Sequence, residues 1–470
     1  MGKIWAIARN TIAQAMRMKI AAAVIVLLLI LLPMMSMIMI GDGTLLGKLQ
    51  TFSSYGLSLV GLLLSILTIA VSTFTLSDEL KRQQIFLVVT KPVRRWQIIM
   101  GKFLGVVVLD IILLIFFSGV IYGLTVSVPR LLEVADDEKA IADDQFFTAR
   151  EGIKVALDIQ AAAERARERF KKLKEEKGRD WPPLKMAEKT GIEERMTEIE
   201  VLSIFVQEEM VREQSVEPGR GRVWDFKDIR PWSEPNTMVF VRFKLDSSVA
   251  PPDGVIYGLW SVGNLPAYQR GDGSLTTPIY NVERNSPTRT SQEFFVPADA
   301  VTQDNFLGVG FVNNPNLNPS SVTIQELEVL YKVGTFGGNF VRAALLMLVR
   351  LVFLAALGIA LTTWLSFPVA VLVCLVIFSA GLVNGFIVDS IDGLGAGIGQ
   401  AYMFTVKPLL MLLPRFDDNY NPAGYVVSGR IIRWLFLLKA AGETIGIKSL
   451  LLLVLGMLVF RRREVAKSSV

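Results

Sequence analysis

The sequence has no histidine among its 470 residues and a single cysteine, Cys374. The first absence removes the commonest general base and the commonest metal ligand together, so imidazole-based hydrolysis and zincin chemistry are excluded. A lone thiol inside an apolar run makes no intrachain disulfide, and every folded region must hold by packing alone. Charge is missing locally as well. Charged residues are 20% of the chain, yet none occurs in 49–77 or in 351–388. With 51% hydrophobic residues and a mean hydropathy of +0.44, that segregation is expected of membrane spans rather than of a soluble core. The net charge of +5 comes from basic residues beside the apolar runs. No basic helix carries interleaved aromatics, so nucleic acid is not an expected partner. A nucleotide-binding loop is also lacking, because the nearest string, Gly43 to Lys48, is one residue short and continues with Leu49.

What is present reads as a membrane protein from its first residues. Positions 1–19 carry Lys3, Arg9, Arg17 and Lys19 without an acid, while Ile4, Ala8, Ile12 and Met16 recur every fourth residue, the pattern of an amphipathic interfacial helix. The apolar run from Ile20 to Gly41 is span-length and lacks the cleavage site of a secretory signal. A second span over 49–77 and a third over 103–128 complete the region 20–128. The basic loop 78–101 between them belongs with the amino terminus in the cytoplasm by the positive-inside rule.

Membrane character then stops at Pro129 and returns after Gly337-Gly338. By parity 129–338 lies outside. Its first part, 129–221, predicts a helical hairpin, with Ile192, Met196, Ile199, Leu202, Val206 and Met210 on a helical period and Gly178 and Pro182-Pro183 as breakers. Its second part, 222–338, alternates as strands do: Val239, Val241, Phe243 and Leu245 face one way. Further strands over 255–262, 306–313 and 322–331 make an antiparallel β-sandwich. Spans four and five occupy 341–365 and 368–388 within 339–388, turning at Ser366-Phe367-Pro368. The segment 389–440 is read as extracytoplasmic or re-entrant, since Ala401 to Leu413 is interrupted by Pro408. Its glycines at 393, 395, 397 and 399 lack dinucleotide spacing and read as a turn or a close helix contact. A sixth span, 441–460, stops at Arg461-Arg462-Arg463, leaving 461–470 as a cytoplasmic tail. The expected fold class is therefore an α-helical polytopic membrane protein of six transmembrane helices, with an inserted extracytoplasmic α+β domain made of a helical hairpin and a β-sandwich.

The most informative segment runs from Glu79 through Lys91-Pro92-Val93-Arg94-Arg95-Trp96 to Gly101-Lys102. Two short helices parted by Pro92 fit it, with apolar residues 85–89 against membrane or bundle and charged ends meeting a soluble partner. A solvated cytoplasmic loop fits it too. With the basic amino-terminal helix, the Ser366-Phe367-Pro368-Val369 turn and the Arg-Arg-Arg-Glu tail at 461–464, this segment resembles the membrane-spanning subunits of ABC-2 type ABC transporters. The branch it resembles is the permeases grouped with multicopper-enzyme maturation. The resemblance implies that Glu79, Arg82, Lys91, Pro92, Arg95, Trp96 and Lys102 form a coupling element seated on a separate ABC ATPase subunit. ATP and Mg would be held in that partner and no cofactor in this chain. It also implies a homodimer, or pairing with a related permease, in the lipid bilayer of the plasma membrane, with both termini cytoplasmic. Gln83-Gln84 and the insertion after span three depart from that pattern.

Two other readings stay open. One is a membrane-anchored extracytoplasmic binding or sensor protein without transport activity. The other, an intramembrane enzyme, would want paired carboxylates or an activated nucleophile, whereas the apolar segments hold Asp110, Arg350, Glu443 and Lys448 singly. Asp110 and Arg350 are expected at depths within roughly 6 Å. They either pair across the bundle or snorkel separately to the interfaces.

Overall fold

The computed structural model describes all residues except 1, 40, 82–93, 132–133, 156–158, 178–183, 187–192, 233–236, 271–276, 393–412, 418–419 and 463–470. Along the chain come helices α1 (Gly2–Met16), α2 (Lys19–Ile38), α3 (Leu45–Lys81), α4 (Arg95–Leu131) and α5 (Asp136–Gln145), then strand β1 (Thr148–Lys154). Helix α6 (Ile159–Lys177), strands β2 (Leu184–Met186) and β3 (Glu193–Arg195), and helix α7 (Glu198–Gln214) follow. The strands β4 (Ser215–Val216), β5 (Gly221–Phe226), β6 (Met238–Ser247), β7 (Val255–Gly263), β8 (Tyr280–Pro287), β9 (Ser291–Pro297), β10 (Leu307–Val312) and β11 (Val322–Thr335) lead to α8 (Phe336–Thr362) and α9 (Phe367–Asp392). The last helix is α10 (Trp434–Ala441), continued through a wider π-helical stretch, Gly442–Ser449, into α11 (Leu450–Arg462). The chain divides into two compact units, one holding Arg150–Val333 and the other the described residues of Met1–Ala149, Gly334–Asp392 and Ala401–Val470.

Among the described residues of the helical unit six helices are long and apolar enough to cross a membrane: Lys19–Ile38, Leu45–Glu79, Arg95–Leu131, Phe336–Thr362, Phe367–Gly385 and Trp434–Arg462. An uninterrupted helix satisfies its own backbone groups, which is what such runs need where water is absent. Burial ranks them. The apolar windows of α3 and α8 are 67% and 78% buried, whereas those of α2, α9 and α10–α11 are 22–28% buried. The outer helices present Ile30, Met37, Leu372 and Val376 on their exposed faces, as lipid-facing helices do. The centre is drawn tight by small residues. A Cβ on Gly358 of α8 would collide with the Ser72 side chain of α3, and one on Gly105 of α4 would lie 2.7 Å from the Ala8 carbonyl oxygen of α1.

Some boundaries differ from the expected ones, and contacts account for them. Helices α3 and α4 run beyond the uncharged windows, because Glu79 and Lys102 neutralise one another. The last membrane-length helix begins at Trp434, ahead of the expected 441, since Glu443 and Lys448 pair at 2.9 Å inside the π-helical stretch. The turn before Pro368 is present, with Leu365 N–H donating to the Leu361 carbonyl. The expected re-entrant piece 401–413 and the glycines 393–399 fall almost wholly outside the described residues.

The second unit is built from two antiparallel-paired sheets and a helix pair. One sheet has the order β1-β11-β6-β9 with β4 added beside β11, the other β5-β10-β7-β8. They share one core: Trp260 of β7 is fully buried, with ring centroids 4.6 Å from Phe243, 5.7 Å from Phe294 and 4.9 Å from Phe311. Val239, Val241, Phe243 and Leu245 all lie in it, as their alternation predicts. The region 129–221 is not purely helical, because β1 and β4 belong to the sheets and β2 pairs with β3. Arg150 on β1 is buried, with its guanidinium 2.6 Å from Glu293 and 4.7 Å from the Phe240 ring centre. Burial holds that guanidinium below its ordinary pKa, and the adjacent Glu293 offsets only part of the effect. Helices α6 and α7 pack together with β2 and β3 between them in the chain; of the expected helical line, Ile192 lies outside the described residues and Met196 precedes α7. Arg165 pairs with Glu213, Arg169 with Glu208 at 2.8 Å and Lys174 with Glu198 at 2.7 Å, the descending order of an antiparallel pair. Thr197 and Glu200 cap α7 reciprocally.

Candidate functional site

The segment between α3 and α4, with its immediate flanks, carries the seven candidate coupling residues. Its middle, with Arg82, Lys91 and Pro92, lies outside the described residues. Its two ends are joined. Lys102 Nζ on α4 lies 2.8 Å from Glu79 Oε1 on α3 and donates to the Thr75 carbonyl at 2.9 Å. With Lys102 only 1% exposed, this cation is a fastening between helices and not a contact offered to another protein. Desolvation makes such a pair costly to form and more costly to break on one side.

Arg95, in the first turn of α4, fastens a third helix. Its Nη1 donates to the carbonyls of Phe460 at 3.1 Å and Arg461 at 2.8 Å, taking up acceptors that the end of α11 leaves unpaired. Helix α1 completes the assembly by lying on α4, where Gly101 and Gly105 admit the backbone and side chains of Ile7, Ala8 and Thr11. The buried line on α1 is Ala8, Thr11 and Ala15, so the every-fourth-residue line from Ile4 to Met16 is rotated, and Met16 is exposed. Of the seven residues expected to touch an ATPase, Trp96 is the described one that stays open, 44% exposed.

No protein-family model, curated protein or solved structure matches this chain. The chemistry available is what its own side chains supply. Among the described residues no group of His, Cys, Asp and Glu could hold a metal ion.

Asp110 and Arg350 do not form an ion pair with one another among the described residues, whereas Glu443 and Lys448 in the last membrane-length helix do. Asp110 on α4 lies 2.8 Å from the Thr68 hydroxyl of α3. Arg350 on α8 reaches the α3 backbone at Gly61, with its guanidinium 5.9 Å from the Phe416 ring centre. Thr68 and Gly61 are two helical turns apart, roughly 10 Å of rise, so the expected difference in depth was too small. A double-mutant cycle of Asp110→Asn and Arg350→Gln should therefore show coupling below about 0.5 kcal/mol in thermal unfolding; coupling of 2 kcal/mol or so would restore the pair.

One polar feature was missed. Ser65, Thr68, Ser72 and Thr75 are all fully buried on α3, on a helical 3-4-3 spacing that is visible in the sequence. Ser65 donates to the Gly61 carbonyl at 2.6 Å, Thr68 to Leu64 at 2.8 Å and Ser72 to Ile69 at 3.1 Å, while Thr75 Oγ1 finds no partner among the described residues, so three of the four hydroxyls bond back along the helix and the row leaves a narrow face for neighbours.

Proposed function

We propose that the chain is the permease subunit of an ABC-2 type transporter, working as a homodimer or beside a related permease in the plasma membrane. A separate ATPase subunit binds ATP and Mg and drives export or extraction of a substrate. In this reading both termini and the 78–101 segment are cytoplasmic and the two-sheet unit is extracytoplasmic. One observation carries it: the segment between α3 and α4 has its ends locked together by Glu79 and Lys102 and tied to α11 by Arg95. A force applied to that segment from outside the bundle would thus reach three membrane-length helices at once, which is the mechanical requirement for coupling to a soluble motor. The absence of a phosphate loop in the sequence agrees with nucleotide chemistry in a partner.

The rival reading, a membrane-anchored binding or sensor protein, is favoured by the same contacts seen differently, since Glu79, Arg95 and Lys102 are engaged within the chain. Reconstitution separates the two. With the partner ATPase in liposomes, Trp96→Ala should lower ATP turnover about tenfold, the effect of losing one aromatic anchor of an interface, while leaving the melting temperature unchanged. Turnover unaffected by the chain in any form would favour the sensor. Topology has its own test: in a Cys374→Ala background, a cysteine placed at Ser247 should react with an impermeant reagent in intact cells, and labelling only after lysis would reverse the orientation.

A further inference from the structure

Between α4 and α8 the helical unit carries an apolar cleft of about 640 Å³. Along α4 its lining runs from Ile111 to Tyr122 and along α8 from Gly337 to Leu348, roughly 16 Å of helical rise on each. The cleft opens outward, where Ile115 is 69% and Val341 57% exposed. No charge lines it, and of its two hydroxyls Ser118 is buried and presents no accessible oxygen. Tyr122 is the other. Its ring stacks on Phe336 at 5.7 Å, and its hydroxyl stands beside Gly337 at one end of the cleft. That hydroxyl makes no hydrogen bond among the described residues. Gly119 supplies part of the wall, and a Cβ there would meet nothing within 4 Å. Glycine in a helix interior lowers stability relative to alanine, and no described residue packs closely on this one.

We infer that this cleft binds one acyl chain of an ester-linked lipid, with the Tyr122 hydroxyl donating to the ester carbonyl. The inference rests on the membrane placement proposed above, in which α4 leaves the cytoplasm and α8 re-enters from outside. Tyr122 and Gly337 then lie toward the outer head groups, and Ile111 and Leu348 toward the midplane. One leaflet contributes about half of a hydrocarbon core of about 30 Å, and the cleft matches that length. Its volume over that length gives a mean section of roughly 40 Å², about half that of an α-helix roughly 10 Å across. A helix of a second copy does not fit such a slot, and a flexible hydrocarbon chain does. Hydrocarbon by itself gains little on leaving bulk lipid, since both surroundings are apolar. Preference for the cleft therefore comes from the one polar contact, which a tyrosine held by its ring supplies from a fixed position.

The test is photolabelling of the full chain in phosphatidylcholine vesicles containing a trace of phosphatidylcholine with a diazirine midway along one acyl chain, adducts being mapped by mass spectrometry. Adducts on 111–122 and 337–348 should exceed those on the exposed faces of α2 and α9 about fivefold, the size of one net hydrogen bond. Tyr122→Phe keeps the ring and should bring the two levels together, as should an ether-linked probe that has no carbonyl. Gly119→Leu should do the same by filling the cleft without a clash, and its melting temperature should not fall. Gly123→Leu is the matched control, because a Cβ at Gly123 would also meet nothing within 4 Å, yet Gly123 does not line the cleft. That variant should label like the unaltered chain. Enrichment that survives Gly119→Leu or the ether-linked probe overturns the proposal. So does a change from dimer to monomer in both glycine variants, which would give this face to a second copy. Equal labelling of α2, α4, α8 and α9 in the unaltered chain sinks the acyl site alone and leaves the membrane placement standing, whereas adducts on none of them sink the placement and the site with it.

Discussion

Lys102→Met is expected to destabilise the helical unit by about 3–5 kcal/mol, because it leaves Glu79 inside the bundle without the cation that accompanies it. The loss should be partly reversed by adding Glu79→Gln, which removes the stranded charge, so the double variant melts above the single one. Thermal unfolding in detergent measures both. The result bears directly on function, since Lys102 stood among the residues expected to touch an ATPase. If Lys102→Met melts like the unaltered chain and instead loses ATPase stimulation, the lysine faces a partner and the buried pair is wrong.

Trp260→Ala carries the largest expected effect in the two-sheet unit, about 3–5 kcal/mol. Its indole is enclosed by Phe243 and Phe294 of one sheet and Phe311 of its own, so truncation opens a cavity where the sheets meet and no neighbour can collapse into it without breaking strand register. The helical unit has a separate core and should keep its own transition. Protease digestion followed by mass mapping therefore has a definite expected outcome: cuts accumulate within 215–333 while α3, α4 and α8 stay intact. Uniform cleavage along the chain would show that the two cores unfold as one.

Element type was legible wherever a single period or a single composition governed a stretch. The uncharged windows 49–77 and 351–388 became helices, and the alternation over 239–245 became β6 with the expected residues inside. Ends were not legible, because they are decided by pairs far apart in sequence. Nothing at Lys102 alone says that Glu79 will accompany it, and nothing at Lys448 says that Glu443 sits one wide turn away. β1 was missed for a related reason. Thr148–Lys154 contains three charges, so it does not read as a strand until Glu293 on β9 is there to neutralise Arg150. The candidate site divides along the same line. A basic segment carrying a tryptophan could be read from the chain, whereas the division of its described residues into those that fasten helices and the one left open needed the contacts themselves.

The claim that this chain is half of an ATP-driven machine is tested most directly by purifying it from its native membranes under mild detergent and identifying what comes with it in stoichiometric amount. The account predicts an ATP-hydrolysing subunit, present with the unaltered chain and lost with Trp96→Ala although that variant keeps its melting temperature. A chain that purifies without any ATPase, from membranes in which a neighbouring transporter keeps its own, would contradict it.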